Sequence, residues 1–435
     1  MKVGLVSLGC AKNLVDSELI MGVLTAAGVS IVQDPAESDA IIVNTCGFIE
    51  SAKAESLQTI VEMASYGKKL IVCGCYAQRY ADRLKAELPA IDRIITVREY
   101  PRIGAILADT FRRENLKFGP FDYQNRYLAT SPVTPYLKLS DGCNNRCTYC
   151  AIPLIRGNFS SRPFADIVSE AEGLVRNGAK ELNLISQDTT RYGTDLTADG
   201  AGLLPALLSR LAAIENLRII RVLYLYPDEI TDELLVTISR EAKIAPYFDI
   251  PVQHAADVVL QRMNRRGSSE FLLALFVKIR KLMPEAVLRT TLIVGFPGET
   301  AADFQQLLAF VEAVGFDRLG VFAYSREEDT PAYAMPDQIA ESVKNERLDT
   351  VMKLQKRIVK KKNLAQIGRI HATIVEAYDP QSRFYYGRSW AFAPDDIDGS
   401  LVFQSSQTLA LGDVVDVKIT AVFGYDLIGD AVFAA

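Results

Sequence analysis

Two histidines, His254 and His371, and a single tryptophan serve a chain of 435 residues. So small a supply of imidazole leaves little room for His-based acid–base or triad chemistry. No stretch approaches the ~18 consecutive apolar residues of a membrane span. Lys and Arg number 48 against 53 Asp and Glu, a net charge of −5, so no overall basic excess advertises nucleic acid or an anionic membrane. A secretory leader is also missing from the reading. Ser7-Leu8-Gly9-Cys10 has the outline of a lipoprotein cleavage box, but the run Val3 to Leu8 before it falls short of the ~7–15 apolar residues a leader needs. What the chain does hold is sulfur. Seven cysteines without a leader point to thiols and metal in a reducing compartment, with cytoplasm as the expected location. The rest of the composition, 49% apolar and 23% charged, is that of a globular protein with room for about two to four domains.

Three of the cysteines stand together in Cys143-Asn144-Asn145-Arg146-Cys147-Thr148-Tyr149-Cys150. Spacing this tight folds a loop around one metal centre. A closed zinc site wants a fourth Cys or His, and neither occurs from Tyr136 to Gly142 or from Ala151 to Arg162. Three thiolates with an open fourth position suit an iron–sulfur cluster whose unique iron binds something else. A zinc knuckle lacking a ligand and plain chance are the competing explanations. The pattern Cys143-x3-Cys147-x2-Cys150, with an aromatic at Tyr149, resembles the signature of the radical S-adenosylmethionine family. That resemblance implies a 4Fe–4S cluster whose fourth iron is chelated by S-adenosylmethionine, reduced to give a 5′-deoxyadenosyl radical.

Residues 1–111 alternate short apolar runs with helical patterns. The runs are Val3–Ser7, Ala40–Val43, Leu70–Val72 and Ile91–Val97; helices are expected from Asn13, as N-cap, to near Gly28, from Phe48 to Tyr66, after Val72, and over Ile103–Phe111. Repeated βα units predict a doubly wound, mostly parallel sheet. Cys10, Cys46 and Cys75 each follow one of these runs, and parallel strands bring their carboxyl ends to one edge, where open α/β sheets bind ligands. Thiols scattered in sequence then meet at one place, with Gly9, Gly47 and Gly74 leaving room for a bulky inorganic cluster. Each cysteine alone is as well explained as a small buried hydrophobe. Cys73 lies inside its strand and is expected not to be a ligand.

Ser7-Leu8-Gly9-Cys10-Ala11-Lys12-Asn13-Leu14-Val15-Asp16-Ser17-Glu18, Val43-Asn44-Thr45-Cys46-Gly47-Phe48-Ile49 and Gly74-Cys75 together resemble the N-terminal domain of the methylthiotransferases. In that family three cysteines hold an auxiliary 4Fe–4S cluster that supplies sulfur, which would assign Cys10, Cys46 and Cys75 to it. The resemblance covers essentially the whole chain.

Residues 112–134, with Gly119-Pro120 and Ser131-Pro132, read as a linker. From 135 to 366 six candidate strands follow: Tyr136–Ser140, Glu181–Ser186, Ile219–Tyr224, Tyr247–Ile250, Leu288–Val294 and Leu319–Tyr324. Helical patterns fall between them, at Phe164–Asn177, Leu203–Ile214 and Ser269–Met283 among others. Six units rather than eight predict a partial (β/α)6 barrel, open on one side, with the cysteine loop at the carboxyl end of its first strand. Ser186-Gln187-Asp188-Thr189, Asp249-Ile250-Pro251-Val252-Gln253-His254 and Val294-Gly295-Phe296-Pro297-Gly298-Glu299-Thr300 also follow strands. Polar groups and glycine turns there suit a small-molecule pocket, and the resemblance implies that they line the S-adenosylmethionine site. Tyr149, Gln187, Asp188, Gln253, Gly295, Pro297 and Glu299 are therefore the candidate cofactor contacts; Gly295–Gly298 serves equally well as a plain strand-to-helix turn, and His254 is assigned no catalytic role. Val343–Lys362 reads as one exposed helix, its Lys360-Lys361-Lys362 end a solvated face favoured by the helix dipole rather than a nucleic-acid patch.

From 367 to 435 short alternating strands, Ile370–Glu376, Phe384–Ser389, Gly399–Phe403 and Asp413–Ala421, predict a small all-β barrel, similar to the TRAM barrel appended to methylthiotransferases. Arg369, Arg383, Arg388 and Lys418 face nine acids there: Glu376, Asp379, Asp395, Asp396, Asp398, Asp413, Asp416, Asp426 and Asp430. Since RNA affinity rests on neutralising phosphates, that balance argues against direct tRNA binding and for a basic protein partner. Phe384, Tyr385, Tyr386 and Trp390 have the rings to stack bases, but packing in the barrel core is the expected use.

The resemblance implies a scheme in which two S-adenosylmethionines are consumed, one as methyl donor and one as radical source, with an electron donor and a sulfur donor as further partners. It is nearest to the branch that methylthiolates the β-carbon of an aspartate in small-subunit ribosomal protein S twelve, free or on the small subunit, and the chain is expected to be a monomer. A tRNA adenosine methylthiotransferase and a non-catalytic iron–sulfur binding module are the alternatives.

Overall fold

The computed structural model describes residues 1–394 and 398–433 and divides into two compact units. The first holds residues 1–130, 141–160 and 325–333; the second holds 131–140, 161–324 and 334–435.

The first unit is built on a five-stranded parallel sheet. Its strands β1 (Lys2–Ser7), β2 (Ser30–Val32), β3 (Ala40–Thr45), β4 (Lys69–Cys73) and β5 (Arg93–Ile95) stand in the order β2-β1-β3-β4-β5. Helices α1 (Ala11–Ala26) and α4 (Ile103–Phe111) bury Ile20, Val23, Leu24, Ile103, Ile106 and Leu107 on one face. Helices α2 (Glu50–Ala64) and α3 (Gly74–Glu87) bury Ile60, Met63, Ala77 and Leu84 on the other. This is a doubly wound arrangement, and its strand order reverses between β1 and β3. The three-residue β2 has no apolar run of its own and escapes a reading by periodicity.

Helix α1 does not start where the sequence suggests. Cys10 occupies the N-cap position and Asn13 lies inside the helix, fully buried. An Asn ahead of an apolar stretch reads as a cap, but here its carboxamide is taken by tertiary partners. Residues 112–130 run along this unit: Leu116 joins the core, and Glu18 forms a buried ion pair with Arg126 at 3.1 Å and accepts from the Ala129 amide at 2.9 Å.

Residues 325–333 are held to the same unit by Glu327, 1% exposed, which pairs with Lys53 at 3.0 Å and Arg79 at 3.1 Å and accepts from Ser325 Oγ at 2.6 Å. Replacing Glu327 with glutamine leaves Arg79 without its buried anion and is expected to cost about 3–5 kcal/mol. Urea unfolding of the two proteins checks this through the midpoint at unchanged slope.

In the second unit, strands 136–138, 181–185, 219–222, 247–249, 287–294 and 318–323 follow one another in space in their chain order, all parallel. The amides of Ala245 and Leu225 bridge the third and fourth strands at 2.9 and 2.8 Å. No pairing joins the sixth strand back to the first among the described residues, so this is the six-stranded partial barrel. The long helix Glu341–Leu364 is not the exposed rod its charges predict. Val351, Leu354 and Val359 are buried, and so is Lys344, whose ammonium reaches the Tyr324 carbonyl at 3.0 Å. Lys362 pairs with Asp317 at 2.7 Å. A long aliphatic stem lets a lysine cover apolar surface while its charge finds a partner, which a charge count cannot see.

A closed five-stranded barrel completes this unit, its strands Ile370–Asp379, Phe384–Arg388, Leu401–Gln404, Val414–Phe423 and Asp426–Val432. The last is the strand the sequence reading lacks; Gly429 and Asp430 break its alternation. The barrel is fastened to the rest of its unit by buried polar groups. Arg221 pairs with Glu181 at 2.8 Å and donates to the carbonyl of Trp390 at 2.7 Å, while the Tyr247 hydroxyl donates to Asp398. Tyr385 is buried against Phe403, whereas Tyr386 lies at the surface.

The barrel's acidic excess is smaller outside than in the sequence. Asp398 is buried, Glu376 pairs with Arg388, Asp379 accepts from the Gln381 amide at 2.9 Å, and Asp426 accepts from the Ser400 amide at 2.7 Å. Asp395 and Asp396 lie outside the described residues. Among the described residues Asp413, Asp416 and Asp430 are exposed, against the exposed Arg369, Arg383 and Lys418. An acid that accepts from a turn amide stays ionised, and the Ser382 hydroxyl and neighbouring amides hold the Asp379 carboxyl below the usual range, so only the burial of Asp398 and the pairing of Glu376 with Arg388 subtract from the acidic excess.

Candidate iron–sulfur and S-adenosylmethionine site

All six candidate ligand cysteines fall in the first unit. Strands β1, β3 and β4 are neighbours, and their register sets Ser7 beside Asn44 and Asn44 beside Cys73. Chains leaving that one row carry Cys10, Cys46 and Cys75 out at the carboxyl edge, around the point where the strand order reverses. The three thiols lie close enough that ionising one disfavours ionising another: Cys10 and Cys75 both act on Cys46, and Cys10 acts on Cys75. Burial pushes the Cys46 thiol up to about 11 and raises that of Cys75, where the Arg156 guanidinium opposes the rise. Cys10 is exposed. It occupies the N-cap position of α1, and Cys75 sits in the first turn of α3.

The polar residues after Cys10 in sequence gain a physical role here. Asn13 donates its amide to the carbonyl of Leu8 at 2.7 Å and approaches those of Asn44 and Thr45 at 3.3 Å, tying the Cys10 and Cys46 loops together. Asn44 answers by donating to the Asn13 carbonyl at 2.9 Å and to Ser17 Oγ at 2.8 Å. Ser56 clamps Cys46, accepting from its amide at 3.0 Å and donating to its carbonyl at 2.7 Å. The glycines do not hold open space as the sequence suggests, because the protein fills it. A Cβ on Gly9 would lie 2.8 Å from Cys46 Sγ, and one on Gly47 would lie 2.7 Å from Tyr76 Cα. Cys73 points away into the core beside Ile71, Ile95 and Tyr100, and burial pushes its thiol up to about 12.

The second cysteine set occupies the loop closed at its base by Cys143, whose amide donates to the Gly157 carbonyl at 3.2 Å, and by the Phe159 amide on Asn144 Oδ1 at 3.1 Å. Cys147 is buried, while Cys143 and Cys150 are half-buried. The Cys150 amide donates to the Cys147 carbonyl at 3.0 Å, and the Ala332 amide caps the loop at the Thr148 carbonyl at 2.9 Å. Helix α5 (Ile152–Arg156) follows at once. Its Ile155, with Ala151, packs on Cys75. The loop therefore folds with the N-terminal sheet, which its position in the sequence does not disclose.

Both sets fit sulfur-ligated iron. Each offers three thiols, one or more of them open to solvent, on backbone fixed by hydrogen bonds. Among the described residues no three His, Cys, Asp or Glu side chains converge closely enough to share a single metal ion; a polynuclear cluster, in which each thiolate meets its own iron, asks for no such convergence.

The candidate cofactor contacts other than Tyr149 lie in the second unit. Asp188 is buried, accepting from Thr190 Oγ1 at 2.5 Å within its own loop. Gly295, with φ +72°, and buried Pro297 shape the turn before the helix Ala301–Val314. Glu299, 2% exposed, turns into that same bend: it accepts from the amides of Gly295 and Phe296 and pairs with Arg347 at 2.9 Å. His254 is fully buried, its Nδ1 accepting from the Ala256 amide at 3.0 Å and its Nε2 lying 3.9 Å from Glu299. Gln187 is half-buried at the second strand's end. Gln253 and Tyr224, at the ends of two barrel strands, both have positive φ, +69° and +63°. A non-glycine residue held there is strained, and strain at strand ends marks Tyr224 as a further candidate that no sequence pattern announces.

The chain matches three family descriptions in succession: uncharacterized protein family UPF0004 over residues 2–96, the radical SAM superfamily over 137–311, and the TRAM domain over 367–432. It is 47% identical to the ribosomal protein uS12 methylthiotransferase RimO of Acetivibrio thermocellus, covering 99% of this chain and 98% of that one. Identity to the protein of the same name from Trichlorobacter lovleyi is 48%, with 99% and 98% covered, and to that of Clostridioides difficile 45%, with 100% and 99% covered. Among solved structures, the radical S-adenosylmethionine methyltransferase TsrM of Kitasatospora setae, with cobalamin and a 4Fe–4S cluster bound, aligns with TM-score 0.55 at 16% identity over 76% of each chain, a likeness of fold. No helix among the described residues is long and apolar enough to cross a membrane. With its two cysteine sets, its partial barrel and its closed C-terminal barrel, this chain belongs to the radical SAM family of ribosomal protein uS12 methylthiotransferases.

Proposed function

We propose that this enzyme methylthiolates the β-carbon of an aspartate in ribosomal protein uS12, using two 4Fe–4S clusters. The observation that carries the two-cluster reading is the presence of two separate cysteine triads in one compact unit, joined where Cys75 packs on Ala151. Cys143, Cys147 and Cys150 hold one cluster, and Cys10, Cys46 and Cys75 the other. When bound, these clusters and S-adenosylmethionine supply the electron, the carbon radical, the sulfur and the methyl group that no side chain of the protein provides.

The protein's own residues do the placing. Asn13, Asn44 and Ser56 fix the Cys10 and Cys46 loops through buried hydrogen bonds. The Cys143–Cys150 loop is closed by its base and by Ala332. Gln187, Asp188, Gln253, Gly295, Pro297 and Glu299 of the second unit shape the S-adenosylmethionine pocket, Glu299 and Asp188 by bracing their own turns and Gln253 through its strained backbone. Residues 1–111, 135–366 and 367–435 act as sulfur-donating, radical-generating and substrate-recognising regions, with 112–134 between the first two. The substrate is free uS12 or the small ribosomal subunit, met in the cytoplasm by a monomer that draws on an electron donor and a sulfur donor.

A tRNA substrate is the competing reading, because Tyr386 stands exposed on the C-terminal barrel, where a ring can stack a base. Incubating the loaded enzyme with methyl-labelled S-adenosylmethionine, purified uS12 and bulk tRNA together separates the two. Label in the protein fraction is expected; label in the tRNA fraction alone overturns the substrate assignment.

A further inference from the structure

Arg156 is a buried cation with an unusual set of neighbours. Its side chain is 1% exposed, at the end of the helix that begins straight after Cys150. One guanidinium nitrogen lies 2.5 Å from Asp16 and 3.3 Å from Asp141; the other donates to Asn13 Oδ1 at 3.2 Å and to Cys75 Sγ at 3.4 Å. Asp16 is fully buried, and Asp141 is one-third exposed. The planar fork of arginine, unlike an ammonium, can serve carboxylates on one side and a second acceptor on the other. One side chain from the helix that follows the Cys143–Cys150 loop thus reaches a sulfur of the other cysteine set.

We infer that Arg156 is a positioning residue that fixes Cys75 as a ligand and sets the reduction potential of the cluster held by Cys10, Cys46 and Cys75. The inference rests on the two-cluster reading given above. Iron–sulfur potentials respond to net charge, to hydrogen bonds on the sulfurs and to solvent exposure, and a buried guanidinium donating to a ligand sulfur acts through the first two. Adding an electron makes a cluster more negative, so a neighbouring cation stabilises the reduced form and raises the potential. Asp16 and Asp141 moderate this by drawing on the same cation. Because the buried Asp16 shares the charge, Arg156 is held in place whether or not a cluster is present.

The test uses the full chain carrying Cys143→Ala, Cys147→Ala and Cys150→Ala, so that a single cluster reports. Iron and sulfide analysis after anaerobic reconstitution comes first, followed by a redox titration monitored by electron paramagnetic resonance. Absence of iron in this background overturns the two-cluster reading itself. With iron bound, Arg156→Met is expected to lower the reduction equilibrium constant at least tenfold, about 59 mV more negative for one electron. Asp141→Asn removes a competing anion at a half-buried position and is expected to move the potential the other way. A folded Arg156→Met protein with the parent's potential overturns the inference. Should that variant fail to fold, an unmoved potential in Asp141→Asn overturns it instead.

Discussion

Replacing Cys143 with alanine is expected to abolish reductive cleavage of S-adenosylmethionine and to remove half the bound iron. Supply of ligands decides the outcome. The loop offers three thiols, and the flanks from Tyr136 to Arg162 contain no other Cys or His to take the place of a lost one. Cys143 is half-buried at the mouth of a loop whose closure runs through its backbone: its amide, not its thiol, donates to Gly157. Alanine keeps that amide, so the loop should stay folded and the loss should be one of ligation. Product analysis for 5′-deoxyadenosine after anaerobic reduction reads the result, and a thermal melt matching the parent confirms that the fold survived. Cleavage at the parental rate would remove the loop from the radical chemistry.

Cys46→Ala should behave differently: cleavage continues, while transfer of the methylthio group stops. Cys46 is the best probe of the second set because its surroundings tolerate the change. Its loop is held by Ser56 through backbone atoms, which alanine retains, so the cost to stability should be on the order of 1 kcal/mol. Cys75 would be a poorer choice, since it packs on Ala151 and Ile155 beside the Cys143–Cys150 loop and receives Arg156; its loss would disturb both sets. The measurement is a paired assay of 5′-deoxyadenosine and of modified protein. If both products disappear together, the two cysteine sets do not divide the work in this way.

Much of this arrangement can be read from residues alone, and the parts that cannot share a cause. The strands before Cys10, Cys46 and Cys75 stand out as apolar runs ending in glycine or a polar pair, and the rule that parallel strands present their carboxyl ends together does the rest. The six barrel strands emerge for the same reason. What sequence pattern misses is side chains whose partners lie far along the chain. Asn13 reads as a cap and is a brace between two loops. Asp16 lies 140 positions from Arg156, and Glu327 lies 248 from Arg79; no local periodicity connects them. Glycines beside the cysteines read as space for a cofactor, whereas Gly9 and Gly47 are small because Cys46 and Tyr76 press on them. Charge was the least faithful guide. Lys344 and Asp398 count as surface charges in a sequence and are buried in the fold.

Whether this enzyme places a methylthio group on uS12 is read from an intact-mass spectrum of purified uS12. The protein would be incubated anaerobically with cluster-loaded enzyme, S-adenosylmethionine, sulfide and reductant. The expected spectrum gains one methylthio group, located on an aspartate by fragmentation. An unmodified uS12 spectrum alongside undiminished 5′-deoxyadenosine formation would contradict it.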